Sequence, residues 1–438
     1  MGYIGWIDTY QGSRDKSLVH QMNSQVVSDL LAQGAILYCK TSLPQTLLFG
    51  ETVNNLVGTT LNPVNRNLSC GGSSGGEGAL QALRGSIVGL GTDIGGSVRI
   101  PAAFNGIYSI RPTHSRLSYR EMADVIPGQT TYPLTVGVLG TSLDAIHLVF
   151  TSILATQPWL RDPQLVPRGY TTQAGDILDR QRRHAASPIA RGLRTLADAA
   201  RKAGHTVVDW NPPDQRTAKR VHVAFLLADG GRDVHKQLEL SGEPLIPPLR
   251  DTFRLREPMS LIKYQELTLE GLAYEAAYSV TVWSLSCLTC SGASPTLSYT
   301  QYNLSSILQY SAHARCPQSP TYSDYWNNTG QDDGQMVDAF IMPVAPHAAV
   351  IPGKFYHTAY TESINLLDYS VVVIPVTKAD KSIDRADPDY APLNNVNAKN
   401  WSAYDVDVYD GAPVGVQIVA RKYEEEKVWA VVWCLRIC

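Results

Sequence analysis

Residues 71–101 constrain the fold more than any other stretch, because two serines set in glycine flank a short apolar run there. Ser73 lies in Gly-Gly-Ser-Ser-Gly-Gly, and Ser97 lies in Asp-Ile-Gly-Gly-Ser-Val-Arg. Glycine permits positive φ and close backbone approach, so both serines are predicted to lie on turns that direct N–H groups at a ligand. Between them, residues 86–90 predict a buried strand that leads into the second turn.

Taken alone, the first turn is also compatible with a flexible Gly/Ser loop or with a phosphate-binding loop. The stretch lacks a Lys followed by Ser or Thr, and no obvious strand precedes Ser73, which weakens phosphate binding. A nucleophilic serine needs a general base and donors for the oxyanion that develops. The backbone of residues 94–97 can offer those donors, and the residue types alone leave all three interpretations open.

The whole stretch resembles the amidase signature, in which two serines stand at the same spacing as Ser73 and Ser97. The resemblance implies that Ser97 is the nucleophile that forms an acyl-enzyme. It implies that Ser73, after a cis peptide bond with Gly72, relays the proton of Ser97. It also implies an oxyanion hole of four backbone N–H groups, those of Ile94, Gly95, Gly96 and Ser97.

Other residues are interpreted through the same resemblance. Asp93 and Arg99 are expected to brace the loop, and Gln81 departs from the family, which usually has an apolar residue there. Leu47 falls where related enzymes have a residue of the pocket wall, although a plain core leucine explains it equally well. Residues 411–419 are similar to the family's C-terminal strand.

Three short segments, 1–6, 51–55 and 364–368, are most similar to the fungal acetamidase branch, in the fatty-acid-amide-hydrolase-like part of the family. The resemblance therefore implies hydrolysis of a small carboxamide such as acetamide to a carboxylate and ammonia. It implies no metal and no organic cofactor. It is also compatible with a homodimer.

The alternation of helical and strand patterns predicts an α/β fold. Residues 16–33 have apolar residues at helical spacing before Gly34, and residues 35–39 predict a buried strand. Later segments predict helices over 142–155, 188–203, 217–240 and 259–279, and strands over 205–208, 339–343, 371–376 and 412–419. The resemblance implies one large amidase domain over residues 1–438, with a mixed central β-sheet covered by α-helices.

Composition excludes several other classes of function. A chain of 438 residues with 44% hydrophobic and 18% charged residues is typical of a soluble globular protein. The net charge of −3 gives no reason to expect binding to nucleic acid or to an anionic membrane. No apolar run is long enough to span a bilayer, and seven scattered cysteines argue against a disulfide scaffold. We therefore expect a cytoplasmic protein, and the resemblance implies that its partner is a small-molecule amide.

The sequence departs from the family at the catalytic base, a lysine in a Gly-x-Pro-x-x-x-Lys segment upstream of the first serine. Counting back from Ser73 places that segment near or before Met1, so we expect an N-terminally truncated chain with impaired activity. The alternative is a catalytically dead pseudoamidase that at most binds amides. Lys40 could replace the base, since a desolvated lysine can be neutral near pH 7, but a structural or surface lysine is favoured.

Residues 280–323 are anomalous in composition. They contain a single charged residue, Arg315, and three of the seven cysteines. Cys287 and Cys290 form an isolated Cys-x-x-Cys pair, which is a weak signal for metal or redox chemistry without a second pair. Our hypothesis for this segment is a translated intron or, failing that, a disordered insertion.

Overall fold

The computed structural model describes a defined part of the chain, namely residues 23–122, 124–171, 178–179, 187–207, 214–240, 242–279, 337–385, 390–392 and 394–435. The chain divides into two compact units. The first consists of Met1–Tyr274 together with Val337–Cys438, and the second consists of Glu275–Met336. Of the second unit, only residues 275–279 belong to the described part. The predicted insertion 280–323 and residues 1–22 lie outside the described residues.

The described strands are, in chain order, β1 (Val53–Asn54), β2 (Gly58–Thr59), β3 (Val88–Asp93), β4 (Tyr108–Arg111), β5 (Thr135–Gly140), β6 (Leu178–Asp179), β7 (Thr206–Val207), β8 (Phe340–Pro343), β9 (Ser370–Lys378) and β10 (Pro413–Ala420). Six of them form a central sheet in the order β3-β5-β4-β9-β10-β8. Every described pairing in this sheet is antiparallel, and the one described parallel pairing joins β6 to β7. The predicted helix-covered α/β fold is confirmed, with a central sheet that is antiparallel rather than mixed.

The described α-helices are α1 (Gln25–Ala32), α2 (Gly75–Ala82), α3 (Arg99–Asn105), α4 (Leu143–Ala155), α5 (Ser187–Lys202), α6 (Gln215–Leu226), α7 (Arg232–Glu239), α8 (Leu261–Ser279), α9 (Ala359–Leu367), α10 (Asn395–Ser402) and α11 (Glu425–Cys434). Local signals explain several of their ends. The Ser142 hydroxyl accepts a hydrogen bond from the N–H of Ala145 and caps α4. The Asn394 side chain caps α10 in the same way, through the N–H of Asn397.

The core lies on and around the central sheet. All residues of β5 and of β10 are buried. Since successive side chains of a strand point to opposite faces, complete burial means that both faces of these strands are covered. Strand β10 contacts α3, α5 and α11. Helix α3 therefore has a rigid support directly behind the turn that contains Ser97.

Two sequence expectations about secondary structure are wrong. Residues 35–39 are irregular and exposed, with Ile36 86% exposed, and none of the described strands pairs with them. Since none of the described strands lies beside this apolar run, its hydrophobic pattern alone did not predict the observed conformation. The helix predicted over 217–240 is two helices, α6 and α7, because Gly230 and Gly231 adopt positive φ of 73° and 82° between them.

The remaining element predictions are confirmed within one to a few residues of their bounds, as for α4, α5, α8, β8, β9 and β10. Only residues 23–33 of the helix predicted over 16–33 belong to the described part, and α1 occupies most of them. Among the helices that the structure describes, none is both long enough and apolar enough to cross a bilayer.

Candidate active site

The loop formed by residues 93–99, which we call the Ser97 loop, is closed by a buried ion pair. Asp93 ends β3 and Arg99 begins α3, and Arg99 Nη2 lies 3.0 Å from Asp93 Oδ1, with both side chains fully buried. The N–H groups of Gly96 and Val98 donate to the same carboxylate at 2.8 Å and 3.2 Å. Burial alone would raise the pKa of Asp93, but the charge and hydrogen bonds of Arg99 outweigh it and hold the pKa well below its usual range.

The Arg99 guanidinium also ties the loop to distant parts of the chain. Its Nη1 donates to Gln417 Oε1 on β10 at 3.1 Å. Its Nη2 donates to Asn365 Oδ1 on α9 at 2.5 Å and to the carbonyl of Thr361 at 3.1 Å. Asn365 Nδ2 donates in turn to Asp93 Oδ1 at 2.8 Å. The expected bracing by Asp93 and Arg99 is thus a fully bonded buried network, which specifies one geometry of the loop.

The two serines lie on adjoining turns at the N-terminal ends of α2 and α3. The N–H of Ser74 donates to the carbonyl of Ser97 at 3.1 Å and joins the two turns. Ser73 is 2% exposed and Ser97 is 9% exposed. The peptide bond between Gly72 and Ser73 is cis, as the resemblance implies. A Cβ at Gly72 would lie 2.7 Å from the carbonyl oxygen of Phe49, so the first turn has no room for a larger residue.

Three of the four predicted oxyanion donors are open. Within the described residues, the backbone N–H groups of Ile94, Gly95 and Ser97 donate no hydrogen bond. The N–H of Gly96 is instead donated to Asp93. Undonated N–H groups beside a serine hydroxyl are suited to stabilise an oxyanion. The Ser97 loop therefore offers three donors and uses the fourth to hold its own shape.

Thr361 on α9 holds the Ser97 loop from the other side. Its Oγ1 donates to the carbonyl of Gly95 at 2.6 Å, which orients the peptide plane between Gly95 and Gly96. Gly96 has a φ of +124°, and a Cβ there would lie 2.4 Å from Thr361 Oγ1. Both the backbone conformation and the lack of space require glycine at this position.

Sequence reasoning missed a buried aromatic and charged cluster behind Gly95. The His222 ring on α6 stacks on Tyr132 at 4.1 Å between ring centroids, and its Nδ1 lies 3.6 Å from Glu362 Oε1. Burial would raise the pKa of Glu362, but the proximity of His222, the charge of Lys219 and a hydrogen bond from Thr358 Oγ1 at 2.9 Å lower it overall. A Cβ on Gly95 would lie 2.9 Å from the His222 ring. No local motif marks this cluster, because its members come from separate elements.

One pocket contains both serines. Its lining combines two hydroxyl-bearing turns with mostly apolar walls, and consists of Thr46, Leu47, Leu48, Ser73, Thr92, Ile94, Ser97, Tyr119, Asp124, Val125, Ile126 and Leu134. Leu47, the residue predicted to belong to the pocket wall, is therefore placed beside the two serines. Asp124 is the one charged residue among those that line the pocket, and no sequence pattern had marked it.

Two other residues considered from the sequence lie outside this pocket. Lys40 is solvent-exposed, and partial burial of its side chain lowers the pKa of its ammonium below the ordinary value. Gln81 is fully buried on α2, where its Nε2 donates to Glu77 Oε1 at 3.1 Å. The polar residue at this usually apolar position thus pairs with a buried carboxyl, whose pKa is raised by burial.

Comparison with known proteins agrees with this geometry. The sequence matches the family described as Amidase over residues 7–279 and 293–429. The unmatched residues 280–292 cover only the first part of the 280–323 segment. An acetamidase of Emericella nidulans is 34% identical over 446 residues, which is 98% of this chain and 72% of the relative. An acetamidase of Aspergillus oryzae is 35% identical over 447 residues, again 98% of this chain and 72% of the relative.

Among solved structures, a fatty acid amide hydrolase superposes with a TM-score of 0.79 at 25% identity, and the match covers 96% of this chain and 69% of that protein. The sequence relatives, the shared fold and the two serines in one pocket all support one assignment. The chain belongs to the amidase family and is a hydrolase of amide C–N bonds.

Proposed function

We propose that this protein hydrolyses a small carboxamide to a carboxylate and ammonia through an acyl-enzyme on Ser97. The observation that carries the proposal is the placement of Ser73 and Ser97 in one pocket, beside a loop with three open N–H donors. The acetamidases among its relatives support a short acyl group. The apolar walls around Leu47 and Ile126 suit such a group, because they offer surface without competing hydrogen bonds.

In this mechanism, the Ser97 hydroxyl oxygen attacks the amide carbonyl carbon while Ser73 accepts its proton and passes its own hydroxyl proton on to the general base of the relay. The carbonyl oxygen becomes an oxyanion and accepts from the N–H groups of Ile94, Gly95 and Ser97. When the tetrahedral intermediate collapses, its C–N bond breaks, the nitrogen takes the relayed proton and ammonia leaves. Water then attacks the acyl-serine through the same relay and releases the carboxylate.

Gly96 has a different role here from the one the resemblance implies. Because its N–H is donated to Asp93, we assign it to holding the loop rather than to binding the oxyanion. The positive φ at Gly96 directs the peptide planes of the loop, and the neighbouring N–H groups remain free to donate. The oxyanion site is therefore preorganised, so that its donors need little rearrangement when charge develops.

A second candidate function is amide binding without turnover. It is favoured by one observation, that neither a lysine nor a histidine occurs among the described residues that line the pocket. A serine without a base is a weak nucleophile, and loss of one member of such a relay removes most of the rate. The family's base would have to come from a Gly-x-Pro-x-x-x-Lys segment, which the given sequence lacks.

Ammonia release from acetamide by two purified proteins tests the proposal. One protein is the chain as given, and the other adds the upstream reading frame and lacks residues 280–323. Activity in either protein that is lost in Ser97→Ala supports the acyl-enzyme mechanism, and activity in the second alone supports an upstream base. Activity in the chain as given that Lys40→Ala abolishes would make Lys40 the base. Absence of ammonia from both proteins would leave the binding function.

A homodimer and a cytoplasmic location are also part of the proposal. Light scattering of the purified protein measures the first, and a mass of one chain at micromolar concentration would contradict it. Fractionation of cells that express the native gene measures the second.

A further inference from the structure

Asp124 places a carboxylate at a pocket that is otherwise lined by apolar and hydroxyl-bearing side chains. It is half-buried and followed by two buried apolar residues, Val125 and Ile126, which line the same pocket. Burying a charge costs free energy unless a partner compensates it. A lone carboxylate beside the reacting serines is therefore a costly feature that the hydrolysis of acetamide does not use.

Among the described residues, no cation pairs with the carboxylate of Asp124. Its carboxylate accepts from the backbone N–H groups of Val125 and Ile126, the latter at 3.0 Å. Burial raises the pKa of Asp124, and the negative charge of Asp233 on α7 raises it further.

A comparison with Asp93 makes the difference clear. Asp93 is completely buried, but Arg99 neutralises it and every bond around it is internal to the protein. Asp124 has a carboxylate neighbour in place of a cation. What would complement it is a positive charge or strong hydrogen-bond donor, and the pocket is where a substrate can supply one.

We propose that Asp124 is a specificity-determining residue that selects small amides bearing an ammonium or another hydrogen-bond donor on the acyl group. The simplest substrate of this class is glycinamide, the amide of the smallest amino acid. It has the same number of heavy atoms as propanamide and differs by an ammonium in place of a methyl group. This inference rests on the proposed function, because it assumes that the pocket binds amides.

If Asp124 only shapes its own turn, a different result is expected. Its Oδ1 accepts from the N–H two residues ahead, which is the geometry of a turn that aspartate and asparagine both form. Asp124→Asn therefore keeps the turn and removes the charge. If the residue only shapes the loop, this variant binds both amides as before.

The test is calorimetric binding of glycinamide and propanamide at about pH 6.5, where the amine of glycinamide is largely protonated. The Ser97→Ala protein serves as the background, so that neither amide is turned over. With Asp124 present, we expect glycinamide to bind about tenfold or more tightly than propanamide, as for a charge-assisted hydrogen bond. Asp124→Asn should reduce that preference to about twofold or less, with an unchanged melting temperature.

Asp233→Asn is the matched control, because Asp233 is an acidic neighbour of Asp124 that does not line the pocket. It should keep most of the preference. An equal loss in both variants would indicate diffuse negative charge and overturn the assignment to Asp124. Equal binding of the two amides when Asp124 is present would overturn the inference and leave the proposed function intact. Binding of neither amide by any variant would overturn the proposed function, and the inference with it.

Discussion

The Ser97 loop and the pocket wall (residues 46–48, 124–126 and Leu134) face the same pocket but are held in different ways. The loop is buried, and its carboxylate, guanidinium and backbone groups are bonded to one another and to α9 and β10. The wall consists mainly of apolar side chains on irregular segments, and several of them are only half-buried. We therefore expect substitutions in the loop to abolish the reaction, and substitutions of single wall residues to change the substrate preference without loss of the fold.

Ser97→Ala should produce the largest effect on activity. It removes the nucleophile and leaves only binding and the oxyanion donors, so we expect the rate of ammonia release to fall by at least about 10³-fold. Ser74→Ala is the matched control, because the Ser74 hydroxyl is buried without a hydrogen-bond partner in the described structure. Equal losses in the two variants would contradict the assignment of the nucleophile.

Asp93→Asn should produce the largest effect on stability. It leaves Arg99 as an uncompensated buried charge, and we expect a loss of about 3–5 kcal/mol in the free energy of unfolding. Urea denaturation at neutral pH measures this. The exposed pair of Asp198 and Arg201 is the control, since Asp198→Asn should change stability little. A fully folded Asp93→Asn protein of wild-type stability would show that the ion pair does not hold the loop.

The pH dependence of stability provides a second measurement on the same carboxyl. The folded protein holds the pKa of Asp93 below its unfolded value of about 3.9. The contribution of ionised Asp93 to the stability of the folded protein is therefore complete above about pH 4. It is lost as the pH falls through the lower, folded pKa. We therefore expect the wild-type stability to decline below about pH 4 more steeply than that of Asp93→Asn. Parallel acid profiles for the two proteins would contradict this.

Thr361→Val should have an intermediate effect. The substitution keeps the shape of the side chain and removes the hydrogen bond to the carbonyl of Gly95. A lost hydrogen bond of about 1 kcal/mol corresponds to roughly a fivefold to tenfold slower rate, expressed in kcat rather than in KM. Thr195→Val on the exposed face of α5 is a distant control, and it should leave both constants unchanged.

Leu47→Ala should have the smallest effect on rate and the clearest effect on specificity. Shortening a wall side chain leaves space for longer acyl groups, so the ratio of kcat/KM for butanamide to that for acetamide should rise about tenfold. Residue 47 has a positive φ of 60°, and alanine and leucine have the same conformational strain there, so the substitution does not change the backbone energy. Leu83→Ala, at an exposed position outside the pocket, should leave the ratio unchanged.

The loop could be predicted from the sequence because its parts are local. Asp93, Arg99 and the two serines lie within one stretch, and the glycines between them have physical requirements that a sequence displays. Thr361 and His222 could not be found in this way, since α9 and α6 bring them to the loop from far along the chain. Asp124 resembles an ordinary turn residue, and only its place in the pocket distinguishes it.

The incorrect prediction of a strand over residues 35–39 shows where a local pattern is insufficient. An apolar run indicates burial, but pairing depends on a neighbouring strand that no local pattern reveals. The antiparallel order of the central sheet was equally invisible, because strand order follows from long-range packing. Sequence therefore predicted the local geometry of the Ser97 loop better than the strand order around it.

The most direct test of the account is the site of acylation by 4-nitrophenyl acetate, whose leaving group needs no protonation and so does not depend on a fast proton relay. The protein is quenched in acid, digested and mapped by mass spectrometry, with Ser97→Ala treated in parallel. The account predicts one acetyl group on Ser97 that is absent from the variant. An equal extent of acetylation in both proteins, or an acetyl group found only at other residues, would contradict it.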